Sequence, residues 1–202
     1  MKKILVVLMG CVLMFSCNRT NKVVEPAPLN VENTISVDKE KMYLTSGEDY
    51  RWYETLVLLN NYLDEENDGS IAEVVNIFQK VTNRDEHSFD TEVYKFQHFA
   101  DGTCVIDSIR GFWIEDFPLK DSLIAITYDK AFELTNQVNL PKPHSRHVCL
   151  RNPIGPIGIN PQWVFGNIES QIWIDAKTGE AKNSNPAFPE EQGFKMPLGE
   201  WP

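Results

Sequence analysis

Residues 91–109 read TEVYKFQHFADGTCVIDSI, and this stretch predicts a β-hairpin. Residues 91–99 and 103–109 are rich in β-branched and aromatic side chains, which strands favour. Asp101-Gly102 lies between them, and this dipeptide is typical of the tight turn that joins two antiparallel strands. Residues 112–117 would add a third strand before Pro118. The middle of the chain therefore favours an antiparallel sheet.

Helices are predicted on the N-terminal side of this hairpin. Residues 50–63 carry enough apolar residues for a helix with one broad buried face. Ser70 and Glu73 match a capping box, and apolar residues follow at helical spacing, namely Ile71, Val74, Val75, Phe78 and Val81. Residues 70–117 are thus predicted to form one unit, a helix followed by an antiparallel meander.

The same order is predicted a second time, over residues 127–181. Thr127 caps a helix, and residues 147–151, 163–165 and 171–175 follow as strands. The proline- and glycine-rich segment 152–161 is a loop. We therefore expect an α+β fold in which helices pack on one face of an antiparallel sheet, with two helix-then-meander units.

The second unit resembles the PepSY domain family. Residues 126–134 (ITYDKAFEL) are similar to the opening helix of that family, and residues 172–181 (IWIDAKTGEA) are similar to its closing strand and turn. The loop 152–161 departs from the family because it is longer than expected between those strands. The resemblance implies a small secreted or membrane-associated module that binds or restrains a partner, a peptidase in some members, without chemistry of its own.

The N-terminus predicts export and lipidation. Lys2 and Lys3 precede an apolar run over residues 4–15, which is typical of a cleaved signal peptide covering residues 1–16. Residues 13–17 (LMFSC) resemble the lipobox of bacterial lipoproteins, although Phe15 is unusual there. The resemblance implies that Cys17 is acylated and anchors the protein to a membrane.

The remaining chain divides by composition. Residues 17–45 are expected to form a flexible tether, residues 46–182 the α+β domain, and residues 183–202 a proline-rich irregular tail. Residues 18–22 lack the acidic stretch that resembles surface-export signals. This favours the cell envelope, on the periplasm-facing side of an outer membrane.

The charge of the chain limits its partners. The net charge is −10, which disfavours nucleic acid because phosphates require clustered Lys and Arg. The same charge disfavours anionic headgroups, so the lipid anchor is the expected membrane contact.

Two cysteines remain once Cys11 and Cys17 are assigned to the signal and the anchor. Cys104 and Cys149 lie in strand-like surroundings outside the cytoplasm. A disulfide between them would close a loop of about 45 residues and stabilise the fold. The alternative is two thiols that pack separately, and the sequence leaves both open.

No catalytic pattern is found in the sequence. Phosphate-binding loops, a nucleophile elbow and the common zinc motifs are all missing. His144 and His147 would share a face of a helix and could hold zinc with Cys149 or a carboxylate, but Pro141 and Pro143 disfavour a helix there. We therefore expect a protein that is not an enzyme and that carries neither a metal nor a cofactor.

Tryptophans give the predicted binding site. Trp173 alternates with Ile172 and Ile174 and shares its side of the strand with Gln171 and Asp175, and Trp113 is placed similarly. If these rings face water on an open sheet face, they suit binding of an extracytoplasmic protein, including a peptidase. The alternatives are a carbohydrate-binding accessory lipoprotein and a cone-like α+β domain that binds a small molecule. The site would not exist if a second layer of structure or the proline-rich tail covered the rings of Trp113 and Trp173.

Overall fold

The computed structural model describes residues 28–85, 88–113, 116–138, 140–154, 160–167 and 170–183. The predicted signal peptide, the lipidation site Cys17 and the tail from residue 184 onward lie outside the described residues.

Two α-helices, one 3₁₀-helix and nine strands make up the described part of the chain. Their bounds are α1 Val31–Ser46, β1 Tyr50–Leu59, β2 Ile71–Asp85, β3 Ser88–Phe99, β4 Cys104–Arg110, β5 Asp116–Phe117, the 3₁₀-helix Asp121–Leu123, α2 Tyr128–Gln137, β6 His147–Pro153, β7 Gln162–Gly166, β8 Gln171–Asp175 and β9 Ala181–Asn183. Within these segments, neither helix has the length and apolar character needed to cross a membrane.

The strands form one antiparallel sheet in the order β4-β3-β2-β1-β6-β7-β8-β9, and β5 pairs with β6 beside this path. The chain runs outward from the centre twice, first from β1 to β4 and then from β6 to β9. The two inner strands, β1 and β6, pair with each other, with Val57 opposite Val148. The α+β class predicted from the sequence is confirmed.

One side of the sheet, here called the core face, carries the main apolar core. A row of directly paired residues crosses it, consisting of Val74, Val57, Val148, Phe165 and Ile172. These side chains are at most 1% exposed and join one buried cluster with Met42 of α1 and Ala131 of α2. Burial of a large aliphatic or aromatic side chain contributes roughly 1.5–3 kcal/mol, so contact with this cluster stabilises the packing of Met42 and Ala131.

The prediction of helices at residues 50–63 and 70–81 is wrong. Residues 50–59 form strand β1, and residues 71–81 belong to strand β2. In β2, Val74 and Phe78 lie on the core face while Val75 and Ile77 lie on the other, and all four are buried. Apolar residues on both faces of a strand can imitate helical spacing, which explains the error. The predicted first unit, 70–117, therefore begins in a strand.

The first helix lies in the segment expected to be a tether. Residues 31–45 belong to α1, so the tether predicted over 17–45 is wrong there. The side chain of Asn30 caps this helix by accepting a hydrogen bond from the amide of Asn33. Val31, Ile35 and Met42 are buried, but Thr34 and Asp38 share their face. A buried face that mixes polar and apolar residues gives a weak periodic signal.

Several other elements lie where the sequence predicted them. The hairpin at Asp101-Gly102 joins β3 and β4, and Gly102 adopts a φ of 85° that suits glycine in this turn. Thr127 caps α2, and β6, β7 and β8 occupy the predicted strands. Of the strand expected at 112–117, residues 116–117 form β5, which pairs with β6, and residues 114–115 lie outside the described residues.

Candidate functional site

A buried carboxylate lies between α1 and the core face of the sheet. Asp38 is 0% exposed, and its Oδ2 accepts a hydrogen bond of 2.7 Å from Nδ2 of Asn76 in β2. Nε2 of His98, near the end of β3, lies 2.7 Å from the same oxygen. A buried charged group requires such partners because it has left its hydration shell. The contacts of Asp38 with Asn76 in β2 and His98 in β3 therefore connect α1 to two neighbouring strands.

The amide of Asn76 is itself fixed by buried neighbours. The hydroxyl of Thr55, directly opposite in β1, donates to Oδ1 of Asn76 at 2.7 Å. Nε1 of Trp52 donates to that hydroxyl at 3.2 Å, and Nδ2 of Asn76 also reaches Oγ1 of Thr34. This chain of hydrogen bonds sets the orientation of the Asp38 carboxylate.

Two more reactive side chains lie beside the contact between Asp38 and His98, namely Cys104 on edge strand β4 and Lys41 on α1. Cys104 begins β4 directly opposite His98, and its Sγ lies 3.9 Å from Nε2 of His98. Nζ of Lys41 lies 3.8 Å from that sulfur and 3.6 Å from Oδ1 of Asp38. Oδ1 of Asp38 is buried and has no hydrogen-bond partner in the described part of the chain.

Asp38, His98 and Cys104 together form a potential metal-ligating set. One donor atom from each lies within 4.8 Å of the other two, a grouping that no other three His, Cys, Asp or Glu side chains make among the described residues. Sulfur and carboxylate approach the same ring nitrogen, Nε2. A nucleophile–histidine–carboxylate relay needs two different ring nitrogens, so this geometry does not suit a catalytic triad.

Strand β4 presents an unusual apolar surface. All seven of its residues are exposed, including Val105 at 47%, Ile106 at 51% and Ile109 at 68%. It is the outermost strand on its side of the sheet, and within the described residues only β3 pairs with it. Exposed apolar edge strands attract further strands, so natural proteins usually shorten, charge or cover them.

A groove runs along the core-face side of this edge. It has a volume of about 280 Å³ and is lined by Lys41, Met42, Leu44, Thr45, Tyr94, Phe96 and Ile106. Leu44 of α1 forms one wall and is 77% exposed. We refer to these seven residues as the edge groove.

A second concavity lies between α1, the start of α2 and the centre of the sheet. It has a volume of about 300 Å³, and Ile35, Leu150 and Trp163 contribute apolar walls. The ammonium of Lys39 lies 4.0 Å from the ring centroid of Trp52 and forms an ion pair with Asp121. Trp52 and Trp163 are 4% and 1% exposed, so their rings are packed rather than presented.

The expectation that Trp173 faces water is wrong. The register does place it opposite to Ile172 and Ile174, on the face that also carries Val164 and Cys149. The ring is nevertheless 5% exposed, and its Nε1 donates to Oε1 of Gln171 at 2.8 Å. Gln171 therefore serves an internal contact rather than an exposed binding patch.

Trp113 is half-buried on the same side of the sheet. It packs against a small apolar cluster of Val75, Ile77 and Val93. Its amide donates to Oε1 of Gln79 at 3.1 Å. Trp113 thus covers part of β2 and β3 on the face opposite the main core.

Asp175 holds a turn. Its Oδ1 accepts from the amides of Lys177 and Thr178, and its Oδ2 accepts from Nδ2 of Asn160. Burial raises the pKa of the carboxyl, but these hydrogen bonds outweigh it and the pKa falls below its ordinary value. The contacts account for Asp175 without an external partner.

Cys104 and Cys149 are both free thiols, so the disulfide alternative is wrong. Cys104 lies on edge strand β4 and Cys149 on central strand β6, with β3, β2 and β1 between them. Four strand spacings amount to about 19 Å along the sheet, whereas bonded cysteines have Cα atoms within about 7 Å. Burial raises the pKa of the Cys149 thiol, and the Glu54 carboxylate adds to the effect.

The histidines considered for zinc do not meet. The ring of His144 is stacked on Tyr62 at 4.1 Å and contacts the carboxylate of Asp64, and it is 66% exposed. His147 is opposite Leu58 at the start of β6. The site at Asp38 was missed because nothing local indicated that α1 would reach β3. The hairpin did carry one signal, since strands joined at Asp101-Gly102 bring His98 near Cys104.

Comparison of the chain with models of known protein families, with curated proteins and with solved structures gives no match.

Proposed function

We propose that this chain is a lipid-anchored, extracytoplasmic binding protein without catalytic activity, and that it holds an extended segment of another protein along strand β4. The observation that carries the proposal is the exposure of all seven residues of this edge strand, three of them large and aliphatic. The binding surface expected from the sequence, centred on Trp113 and Trp173, is replaced here by the β4 edge.

Among the described residues only β3 pairs with β4, so main-chain groups on the other side of β4 are open to strand addition there. The amide of Phe99 donates to the carbonyl of Thr103, and the amide of Gly111 donates to the carbonyl of Thr91. Antiparallel ladders alternate, so these two bonds indicate that Val105, Asp107 and Ile109 bond to β3. Cys104, Ile106, Ser108 and Arg110 then direct their amides and carbonyls away from the sheet, where an incoming strand would pair with them.

The two sides of the edge favour a partner with apolar residues at alternate positions. Ile106 and the edge groove lie on the core-face side, and Val105 and Ile109 lie on the other. Side chains of an added strand alternate between these sides, so apolar residues at every second position would enter the groove. The net charge of −10 favours basic residues flanking that segment.

The PepSY resemblance supports the same class of function. The second half, α2 with β6 to β9, has the helix-then-meander order that the resemblance implies. The first half, α1 with β1 to β4, has the same order, and each half runs outward from the centre of the sheet. We propose that the two halves are PepSY-like units with their helices on one face, and that a peptidase is a candidate partner.

Amide exchange tests the binding mode. Purified full-length protein is used to select binders from a displayed library of extended peptides, and exchange is measured with and without the selected peptide. The amides of Ile106, Ser108 and Arg110 should slow by at least about 10-fold on binding, whereas Val105 and Ile109 change little because they already bond to β3. Strand addition would be contradicted if the outward and the inward amides of β4 were protected equally, or if neither were protected.

A matched pair of variants tests the surface. Ile106→Glu should weaken binding of the selected peptide by about 10-fold or more, because it places a charge at the groove wall. Ile154→Glu is the control, since Ile154 is 53% exposed and lies after β6, away from the edge. A peptide that loses equal affinity to both variants would bind elsewhere.

Membrane attachment is tested separately. Cys17→Ser should move the protein from the membrane to the soluble fraction, because one acyl-modified residue is the proposed anchor. Cys11→Ser is the matched control. Continued membrane association of Cys17→Ser protein would refute the lipid anchor while leaving the β4 proposal untouched.

A second candidate function is small-molecule binding in the concavity beside α1. The supporting observation is its volume of about 300 Å³ with apolar walls and a charged rim at Glu32, Lys39 and Asp121. That volume is at the lower end of ligand pockets. Leu150→Trp should fill it, and a ligand that still binds this variant unchanged would exclude the site. The carbohydrate alternative rested on Trp113 and Trp173, and it is weakened because Trp173 is buried and Trp113 is half-buried.

A further inference from the structure

We propose that Asp38, His98 and Cys104 form a transition-metal site, and that Zn²⁺ is the ion it fits best. The site lies at the first residue of β4, where α1 crosses the end of the β3–β4 hairpin. Its evidence does not rest on the proposed binding of an extended segment, although Cys104 and Lys41 also border the β4 edge. The arguments are the spacing of the donor atoms, the burial of the carboxylate and the chemistry of the set.

The donor atoms are close to the spacing that zinc imposes. Zinc binds nitrogen, oxygen and sulfur at about 2.0, 2.1 and 2.3 Å, so a tetrahedral ion keeps O and N about 3.4 Å apart and S and N about 3.5 Å apart. The observed distances are 2.7 Å from Asp38 Oδ2 to His98 Nε2 and 3.9 Å from Cys104 Sγ to the same nitrogen. The O–N distance would have to lengthen by about 0.7 Å and the S–N distance to shorten by about 0.4 Å for the three atoms to bind one zinc ion.

The carboxylate is oriented for a ligand. Asp38 is fully buried, and its Oδ1 has no hydrogen-bond partner among the described residues. Asn76 donates to Oδ2 and is held in turn by Thr55, which is the kind of outer contact that orients metal ligands. The Lys41 ammonium, 3.6 Å from Oδ1, makes an ion pair with it but no hydrogen bond, so this buried carboxylate gains when a metal ion binds.

The chemistry of the set selects the class of ion. A thiolate, an imidazole and a carboxylate suit Zn²⁺, whereas Mg²⁺ and Ca²⁺ prefer oxygen ligands alone. Three protein ligands leave a fourth position for water or for a group of a partner. Cys104 is exposed, so an ion can enter from solvent.

Lys41 is the internal competitor of the metal. Its ammonium lies 3.6 Å from Asp38 Oδ1 and 3.8 Å from Cys104 Sγ, close to where a cation would bind. Its side chain is 38% exposed and also lies over the ring of Phe96, so it can move outward to water. A metal must displace this charge, and Lys41 therefore lowers the affinity of the site.

The test uses the reduced full-length protein and Co²⁺, a spectroscopic substitute for Zn²⁺. Binding should produce a thiolate-to-cobalt absorption band that added Zn²⁺ removes. Cys104→Ser should abolish the band, and His98→Ala should weaken Co²⁺ binding by at least about 10-fold. His147→Ala is the matched control for a histidine outside the site and should bind as the wild type does.

Lys41→Met separates a metal site from a purely structural ion cluster. It should tighten Co²⁺ binding by at least about 3-fold, because a competing charge has been removed. Lys130→Met, on α2, is the matched control and should change nothing. Equal Co²⁺ affinity of the wild type and Cys104→Ser, or no tightening in Lys41→Met, would overturn the proposal. A band that persists in Cys104→Ser would assign the binding to another cysteine and would also overturn it.

Discussion

Oδ2 of Asp38 and Nε2 of His98 lie 2.7 Å apart, although 60 positions separate these residues in the chain. The contact links the buried face of α1 to the hairpin that presents β4. Through Asn76 it also connects to the central strands β1 and β2. The candidate metal site and the candidate binding edge are therefore positioned by one buried hydrogen-bond network.

Asn76 is predicted to be the most sensitive member of this network. Asn76→Ala leaves the Thr55 hydroxyl without its acceptor and Asp38 without one donor, both in a buried setting. We expect a loss of roughly 2–4 kcal/mol in the free energy of unfolding, measured by urea denaturation. Asn136→Ala, on the exposed side of α2, is the control and should change it by less than about 0.5 kcal/mol. Equal losses in both variants would show that the network contributes nothing.

Gly166, at the end of β7, is predicted to be irreplaceable. Its φ is 125°, and a Cβ there would lie 2.2 Å from the carbonyl oxygen of Ser170 and 2.8 Å from Cγ of Pro143. Gly166→Ala should destabilise the protein by roughly 3 kcal/mol or more, because backbone strain and a clash add together.

Gly102→Ala is the matched control for this effect. Gly102 also has a positive φ, 85°, but nothing lies within 4 Å of the added Cβ. Only the backbone strain remains, so we expect a loss of about 1 kcal/mol. Thermal unfolding that ranks the two variants in the reverse order would contradict the close approach of β7 to the residues around Ser170.

Stability should decrease in alkaline solution because of buried or hydrogen-bonded tyrosines. Tyr128 is 2% exposed, and burial, helped by the Asp129 carboxylate, raises the pKa of its hydroxyl above the ordinary 10.0. A hydrogen bond to Glu92 raises the pKa of Tyr94 to about 12. A raised folded-state pKa stabilises the protein below the unfolded-state value and ceases to do so as the pH rises, so the free energy of unfolding falls above about pH 10.

Tyr128→Phe tests the origin of this loss. The variant should lose less stability than the wild type between roughly pH 8 and pH 11, because its ring cannot ionise. It should also lose about 1 kcal/mol at neutral pH, since the hydroxyl donates to the carbonyl of Gly69. Tyr43→Phe, at a 56% exposed position, is the control. Parallel pH profiles for Tyr128→Phe and the wild type would refute the assignment.

The two thiols should differ in reactivity. Cys104 is exposed and should be alkylated by a maleimide in the native state. Cys149 is half-buried and burial raises the pKa of its thiol, so it should react much more slowly than Cys104 in the native state and fully only after denaturation. Peptide mass spectrometry distinguishes the sites. Protection of both thiols until a reductant is added would show a disulfide and contradict the structure.

The sequence alone determined the elements whose signals are local. Asp101-Gly102 predicted the turn between β3 and β4, and Thr127 predicted the start of α2. Such signals depend on neighbours within a few residues, because turn dihedrals and helix caps are satisfied locally. The three strands predicted after α2 were recovered for the same reason.

Only the tertiary structure decided which faces are covered. Strand β2 was predicted as a helix because residues 74–79 are buried on both of its faces, and Trp173 was expected in water although it is 5% exposed. Asp38 acquires its partners only when α1 packs across strands formed by residues 50–99. Burial and long-range pairing depend on which distant segments meet. The order of residues along the chain does not specify this locally, so the candidate sites at Asp38 and along β4 came from the fold.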